Sequence, residues 1–192
     1  VEHDTGRWQA ASETLETVDF ANEVGVLSTR GWQEGQFEGA DEIGIDAARE
    51  AAVAGEDDGQ GFRVDTEDGE TVPRGAAPMT LGAGLGVDDF DAVATLGSVC
   101  DRLGLDVISA GNAVAWAMRA SEEGLLGEEL LADVLETDLS FGDAEAARAL
   151  IRAVATRDGE LAGALADGVD AAATRFGGDD MVPTVKSMEL PA

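Results

Sequence analysis

The chain has 192 residues, 44% hydrophobic and 27% charged, and its 40 Asp and Glu against 12 Lys and Arg give a formal charge of −28. This composition suits a globular domain with a buried core and excludes the disordered and fibrous classes. So acidic a surface repels phosphate backbones and anionic headgroups, which argues against nucleic-acid and peripheral-membrane binding.

The acid is spread along the whole chain, and Lys186 is its only lysine. This reads as halophilic adaptation, because carboxylates hold hydration in concentrated salt while long-range repulsion is screened to a few ångströms. One cysteine, Cys100, excludes an internal disulfide framework and an all-cysteine metal site built from this chain alone. No apolar run approaches a membrane span and no leader is visible, so a cytoplasmic location is expected. A start at Val1 without methionine, and an end at Glu189-Leu190-Pro191-Ala192 without a closing feature, suggest part of something longer.

Periodicity is helical almost throughout. Residues 14–27 carry Leu15, Val18, Ala21, Asn22 and Gly25 on one face and predict a short amphipathic helix. Turn chemistry with two aromatic anchors, Trp32 and Phe37, comes next, and then a second helix over about 41–53. The acidic, glycine-rich stretch 55–61 reads as a solvated loop. Phe62-Arg63-Val64 and Thr71-Val72 around Asp68-Gly69 predict a small β-hairpin, the only strand expected in the chain. The acids of 65–70 do not have calcium-loop spacing. Gly82-Ala83-Gly84-Leu85-Gly86 lacks the preceding strand and spacing of a dinucleotide loop, so a flexible turn is expected there.

The second half is more regular. Asp88 is expected to cap a helix whose buried stripe is Phe90, Val93, Gly97, Cys100 and Leu103. Cys100 on that stripe reads as a small core residue. Asp106 caps a helix over about 107–123 that Gly124 closes, with Trp116 and Met118 in the core. Asp143 starts another, with Ala147, Leu150, Ile151 and Val154 facing inward, and residues 161–176 form the last. The expected fold is all-α with one hairpin near 62–72. Its parts are a helical segment (1–54), a loop-and-hairpin linker (55–86) and a helical region (87–192), together one structural domain. His3, the only histidine, sits near a terminus and takes no role.

Asp101-Arg102-Leu103-Gly104-Leu105-Asp106 joins two of these helices. Gly104 can adopt the left-handed conformation that ends a helix, Leu105 can fold back, and Asp106 can cap the second helix. Asp101 is not explained this way: in a helix's last turn its carboxylate faces the negative end of the dipole, at a cost of ~0.3–1 kcal/mol.

The segment resembles the Asp-x-x-Gly-Leu-(Asp/Cys) motif of the tungsten-containing aldehyde ferredoxin oxidoreductases. Ala21-Asn22-Glu23-Val24-Gly25-Val26-Leu27-Ser28-Thr29-Arg30 and Glu34-Gly35-Gln36-Phe37-Glu38-Gly39-Ala40 resemble that family's Asn-Glu-x-Gly-x-Leu-x-Thr-Arg and Glu-Gly-x-Phe-Glu-Gly-Ala runs. Ile108-Ser109-Ala110-Gly111-Asn112 resembles its Ile-Ser-x-Gly-Asn, and Phe141-Gly142-Asp143, Asp167-Gly168-Val169 and Val185 to Ala192 come in the family's order. The likeness covers nearly the whole chain.

The resemblance implies the helical second domain of such an enzyme. Its members hold tungsten, sometimes molybdenum, on the dithiolene sulfurs of two pterins beside a four-iron, four-sulfur cluster; they oxidise aldehydes to carboxylic acids and pass electrons to ferredoxin. By this resemblance Asp101 would accept the paired N–H donors of a pterin edge, Leu105 would contribute its carbonyl, Gly104 would make the turn, and Asp106 would lie near the cofactor. Region 87–192 would then be the pterin-contacting part. Departures from the family are plain. Its three cluster cysteines would fall near 51–58, where this chain has Ala51-Ala52-Val53-Ala54-Gly55-Glu56-Asp57-Asp58, so no cluster is expected in the usual way. The family's Pro-Glu-Tyr-Glu-Thr is replaced by Gly75-Ala76-Ala77-Pro78-Met79. Two readings stand: part of an aldehyde oxidoreductase that needs its flanking domains, or a degenerate, non-catalytic helical domain acting as a binding or assembly module.

Overall fold

A computed structural model describes residues 13–53, 61–135, 138–181 and 184–190 of the chain. In order, the elements are helices α1 (Glu16–Val24) and α2 (Ile45–Ala51), strands β1 (Val64–Thr66) and β2 (Gly69–Thr71), helices α3 (Phe90–Leu103), α4 (Val107–Glu122), α5 (Glu128–Ala132), α6 (Ala144–Thr156), α7 (Glu160–Leu165) and α8 (Val169–Phe176), and strands β3 (Thr184–Val185) and β4 (Met188–Glu189). The body is helical, as expected.

Helix α4 occupies the centre. Gly111, Ala113, Val114, Ala115, Trp116, Ala117 and Met118 are all buried, so this helix is apolar nearly all round, the pattern of a helix enclosed by others. Helices α3, α6 and α8 pack on it, and α3 in turn packs along α6. Small residues set the spacing. A Cβ on Gly111 would sit 2.8 Å from both the Cβ and the carbonyl oxygen of Thr80, so only a glycine lets α4 approach the segment beneath it. One hydrophobic cluster runs from Val18 through Cys100 and Trp116 to Met181. A smaller one gathers Leu15, Ala48, Phe62, Val64, Phe90 and Ala94 where α2 and the hairpin meet α3.

Helix starts reflect local chemistry. Asp106 accepts from the Ser109 N–H and Asp143 from the Ala146 N–H, each at 2.9 Å. At α3 the cap is Asp89, accepting from the Ala92 N–H, and not Asp88 as expected. Leu103, expected on the buried stripe, is 38% exposed at the end of α3.

Three expectations are corrected. Residues 82–86 are no flexible turn: they continue a helical segment at 78–85, and Gly82, Ala83, Gly84 and Leu85 are buried. The Ala83, Gly84 and Leu85 carbonyls accept from the N–H groups of Arg30, Gly31 and Gly142, so partners distant in sequence fix this stretch. The expected last helix is broken into α7 and α8 at Gly168, whose φ of +108° no L-residue adopts comfortably. A second hairpin, β3–β4, pairs Thr184 with Glu189 and Val185 with Met188. It escaped notice because its strands are two residues long and its turn, Lys186-Ser187, contains neither glycine nor asparagine. The expected hairpin is present, with Val64 opposite Thr71. The glycine-rich loop and His3 lie largely or wholly outside the described residues. No helix among the described residues is long and apolar enough to cross a membrane.

Candidate functional site

The α3–α4 junction has the geometry that its residues dictate. Gly104 takes φ +70°, its N–H reaches the Asp101 carbonyl at 3.2 Å, and the Leu105 N–H folds back to the Cys100 carbonyl at 2.9 Å. Leu105 is half-buried against the core, and Asp106 opens α4. A Cβ on Gly104 would meet nothing within 4 Å, so the space over the turn is open.

Asp101 is exposed, and among the described residues its carboxylate forms no hydrogen bond or ion pair. It lies at the edge of a cavity of about 110 Å³ whose wall is the strap after β2: Thr71, Val72, Pro73, Arg74 and Ala77. Arg102 does not offset its neighbour's charge locally. Its guanidinium lies where a side chain on Gly69 would be, against the tip of the first hairpin.

Leu105 and Asp106 line a different cavity, of about 470 Å³, between the start of α4, the end of α6, the α7–α8 connection and the β3–β4 hairpin. Ser109, Arg157, Asp167, Gly168, Ser187 and Glu189 complete its polar wall. Of the four residues anticipated as one docking point, Asp101 therefore borders one cavity and Leu105 and Asp106 another, while Gly104 lines neither. The reason is helical geometry: Asp101 lies before the left-handed turn and Leu105 after it, so the chain reverses between them.

Distant motifs meet around Asn112, which is 8% exposed. Its Oδ1 accepts from Trp32 Nε1 at 3.3 Å, and its Nδ2 donates to the Leu190 carbonyl at 3.2 Å and the Ile108 carbonyl at 2.9 Å. Ser109 Oγ donates to Glu189 Oε2 at 3.1 Å, and Thr184 Oγ1 donates to Asp170 Oδ1 at 3.0 Å. Arg30, Gly31 and Trp32 all have positive φ, which turns the first of these motifs onto the buried 83–85 stretch. Asn22 likewise accepts the Phe37 N–H at 2.7 Å. Sequence reasoning named Asn112 only as part of a run and missed its position as a hub; nothing local in the sequence announces the pairing.

Elsewhere, Cys100 is fully buried, and burial pushes its thiol up to about 12, with Asp101 and Asp106 adding to the effect. It is a core residue, as expected. Trp116 and Met118 are also in the core. The tip of the first hairpin is clamped by charge: Asp68 accepts from Arg152 Nη2 at 2.6 Å and pairs with Arg148 Nη2 at 3.0 Å. The Arg152 bond, joined by the Arg148 and Arg102 charges, holds the Asp68 carboxyl below the usual carboxylate range against the opposing effect of burial. Among the described residues no group of three or more His, Cys, Asp or Glu is arranged to hold a metal ion. Of the stretch where cluster cysteines would fall, residues 54–58 lie outside the described residues.

The whole chain, residues 1–192, matches the family model described as aldehyde ferredoxin oxidoreductase, domains 2 & 3. The chain belongs to the aldehyde ferredoxin oxidoreductase family. Among curated relatives, the tungsten-containing aldehyde ferredoxin oxidoreductase of Pyrococcus abyssi is 34% identical over 200 aligned positions, which cover 93% of this chain and 31% of the relative. The protein of the same name from Thermococcus kodakarensis is 30% identical over 187, covering 93% of this chain and 30% of its own. That of Pyrococcus furiosus is 36% identical over 125, covering 65% and 20%. The chain thus spans less than a third of the length of these aldehyde ferredoxin oxidoreductases.

Proposed function

We propose that this chain is the helical, pterin-contacting part of an enzyme that oxidises aldehydes to carboxylic acids with a tungsten or molybdenum bis-pterin cofactor and passes electrons to ferredoxin. The observation that carries the reading is the exposed Asp101 carboxylate, unpartnered among the described residues, beside an open left-handed turn. An acceptor with all its lone pairs free, next to a glycine with empty space above it, suits the adjacent N–H donors of a pterin edge. The residues present fit that group.

When bound, the metallopterin supplies the two-electron oxidation. This chain's residues then bind and orient. Asp101 would accept from the pterin N–H groups and Gly104 would keep the approach clear, while Leu105 and Asp106, which line the other cavity, fix the turn and the start of α4 behind them. Oxidation, in this reading, needs the flanking domains. The chain's only cysteine, Cys100, is buried in the core, so this segment contributes no thiolate to an iron–sulfur cluster. We place the enzyme in the cytoplasm of a salt-adapted cell, on the single cysteine and the −28 charge. Missing cluster cysteines favour a second reading, a non-catalytic descendant serving as an assembly module.

The test supplies the remainder of a family enzyme together with this chain in high salt, and measures pterin fluorescence and tungsten and molybdenum content. Pterin retention that falls at least tenfold in Asp101→Asn, at an unchanged unfolding midpoint, is expected. A reconstituted protein without pterin supports the assembly-module reading. An Asp101→Asn protein that unfolds makes the carboxylate structural and overturns the first.

A further inference from the structure

The β3–β4 hairpin presents its two faces the wrong way round for a hairpin in water. Its cross-strand pairs point to opposite sides, because successive residues of a strand alternate. Thr184 and Glu189, one pair, face the body: Thr184 Oγ1 donates to Asp170 on α8, and Glu189 accepts from Ser109 on α4. Val185 and Met188, the other pair, stand on the outer side at 57% and 70% exposure. A hairpin lying on a core ordinarily turns its apolar face inward and its polar face to solvent. Here the polar pair bonds to the body and the apolar pair is bare.

Met188 is the most exposed large apolar side chain among the described residues. The other three methionines differ: Met118 and Met181 are buried, and Met79 is half-buried. The hairpin that carries Met188 is tied down at both ends, with the Leu190 carbonyl accepting from Asn112 as a further bond to α4. An apolar pair held in a fixed position on so acidic a surface has the character of a preformed contact.

We propose that this outer face is seated against the flanking part of the same polypeptide in the full-length enzyme. The match to the Pyrococcus abyssi relative covers 31% of that protein, so most of such an enzyme lies outside this chain and has to pack on it somewhere. Two side chains fall far short of the ~800 Å² per partner that a stable association of separate molecules takes, which argues against a second copy. Within one polypeptide the tether supplies a high effective concentration, and a small apolar contact suffices. The inference rests on the proposed function for the flanking domains alone, and not on pterin binding at Asp101.

The test joins these 192 residues to the remainder of the Pyrococcus abyssi relative in one polypeptide, in place of the stretch they match, and follows methionine oxidation by dilute hydrogen peroxide in high salt. In the lone chain Met188 should oxidise fast while Met118 and Met181 oxidise slowly. In the joined protein the Met188 rate should fall at least tenfold. Val185→Asp should restore at least a third of the lost rate in the joined protein and leave the unfolding midpoint of the lone chain unchanged. Asp101→Asn should leave the protection of Met188 as it was, which separates this result from the pterin test. Equal Met188 rates in the lone and joined proteins would overturn the proposal. So would protection in the lone chain that grows with its concentration, the mark of a second copy, or a lone Val185→Asp chain that unfolds.

Discussion

Replacing Asn112 with alanine tests the idea that one amide holds three distant segments together. The substitution removes the Trp32 Nε1 bond at 3.3 Å and the bond to the Leu190 carbonyl at 3.2 Å, while Ile108 keeps its place within α4. Each bond contributes about 0.5–1.5 kcal/mol net. Trp32, 37% exposed, can recover water, which moves its share to the low end of that range. A loss of about 1–2 kcal/mol is therefore expected, or roughly 2–8 °C in the midpoint of a chain this size. Asn112→Asp keeps the acceptor for Trp32 but sets a carboxylate against the Leu190 carbonyl, so it should cost at least as much. Chemical unfolding of Asn112→Ala, Trp32→Phe and the double variant gives the coupling, expected at about 0.5–1 kcal/mol. Strict additivity of the two single losses, or a loss under about 0.5 kcal/mol for Asn112→Ala, would refute the hub.

Gly111→Ala places a Cβ 2.8 Å from the Thr80 carbonyl oxygen, so backbone must retreat by about 0.6 Å to reach ordinary contact; overpacking should cost about 1–3 kcal/mol by denaturant unfolding, and a neutral result would show that α4 has slack. Asp68 has its carboxyl held below the usual range by the Arg152 bond and the Arg148 and Arg102 charges, so its contribution is complete above the unfolded value of about 3.9 and disappears as pH falls through the lower folded value. Asp68→Asn should therefore flatten the acid limb of the stability curve below about pH 4 and leave its shape near neutrality unchanged; an identical acid limb would remove the clamp's role. With a charge of −28, the folded chain should gain stability steadily as potassium chloride is raised, and a salt-independent melting temperature would contradict the halophilic reading.

Features that depend on a few adjacent residues were legible in the sequence. Asp106 and Asp143 cap because the side chain needs only the N–H three residues on, and Gly104 ends α3 because only a glycine turns there without strain. Features set by distant partners were not. The 82–86 stretch is composed like a loop, yet Arg30, Gly31 and Gly142 bind its carbonyls and bury it. The break at Gly168 is hidden because alanine-rich helix pattern continues on both sides of it. Lys186-Ser187 makes a turn against its own preference, held by bonds from α4 and α8. Of the candidate site, the turn was readable, and so was Asp101 as a residue that the turn does not explain. The site's division between two cavities was not, because that depends on where the strap after β2 and the second hairpin come to rest.

The close approach of α4 to Thr80 separates two kinds of inheritance in this family. Gly111 and Asn112 serve architecture: one makes room and the other ties segments together, so any descendant that still folds this way needs them regardless of its chemistry. The Asp101 side chain makes no hydrogen bond or ion pair among the described residues, so its loss is expected to leave the scaffold standing. On the proposed reading of Asp101, relatives that keep the glycine–asparagine pair while varying the carboxylate would be expected to retain their shape and no longer carry the pterin.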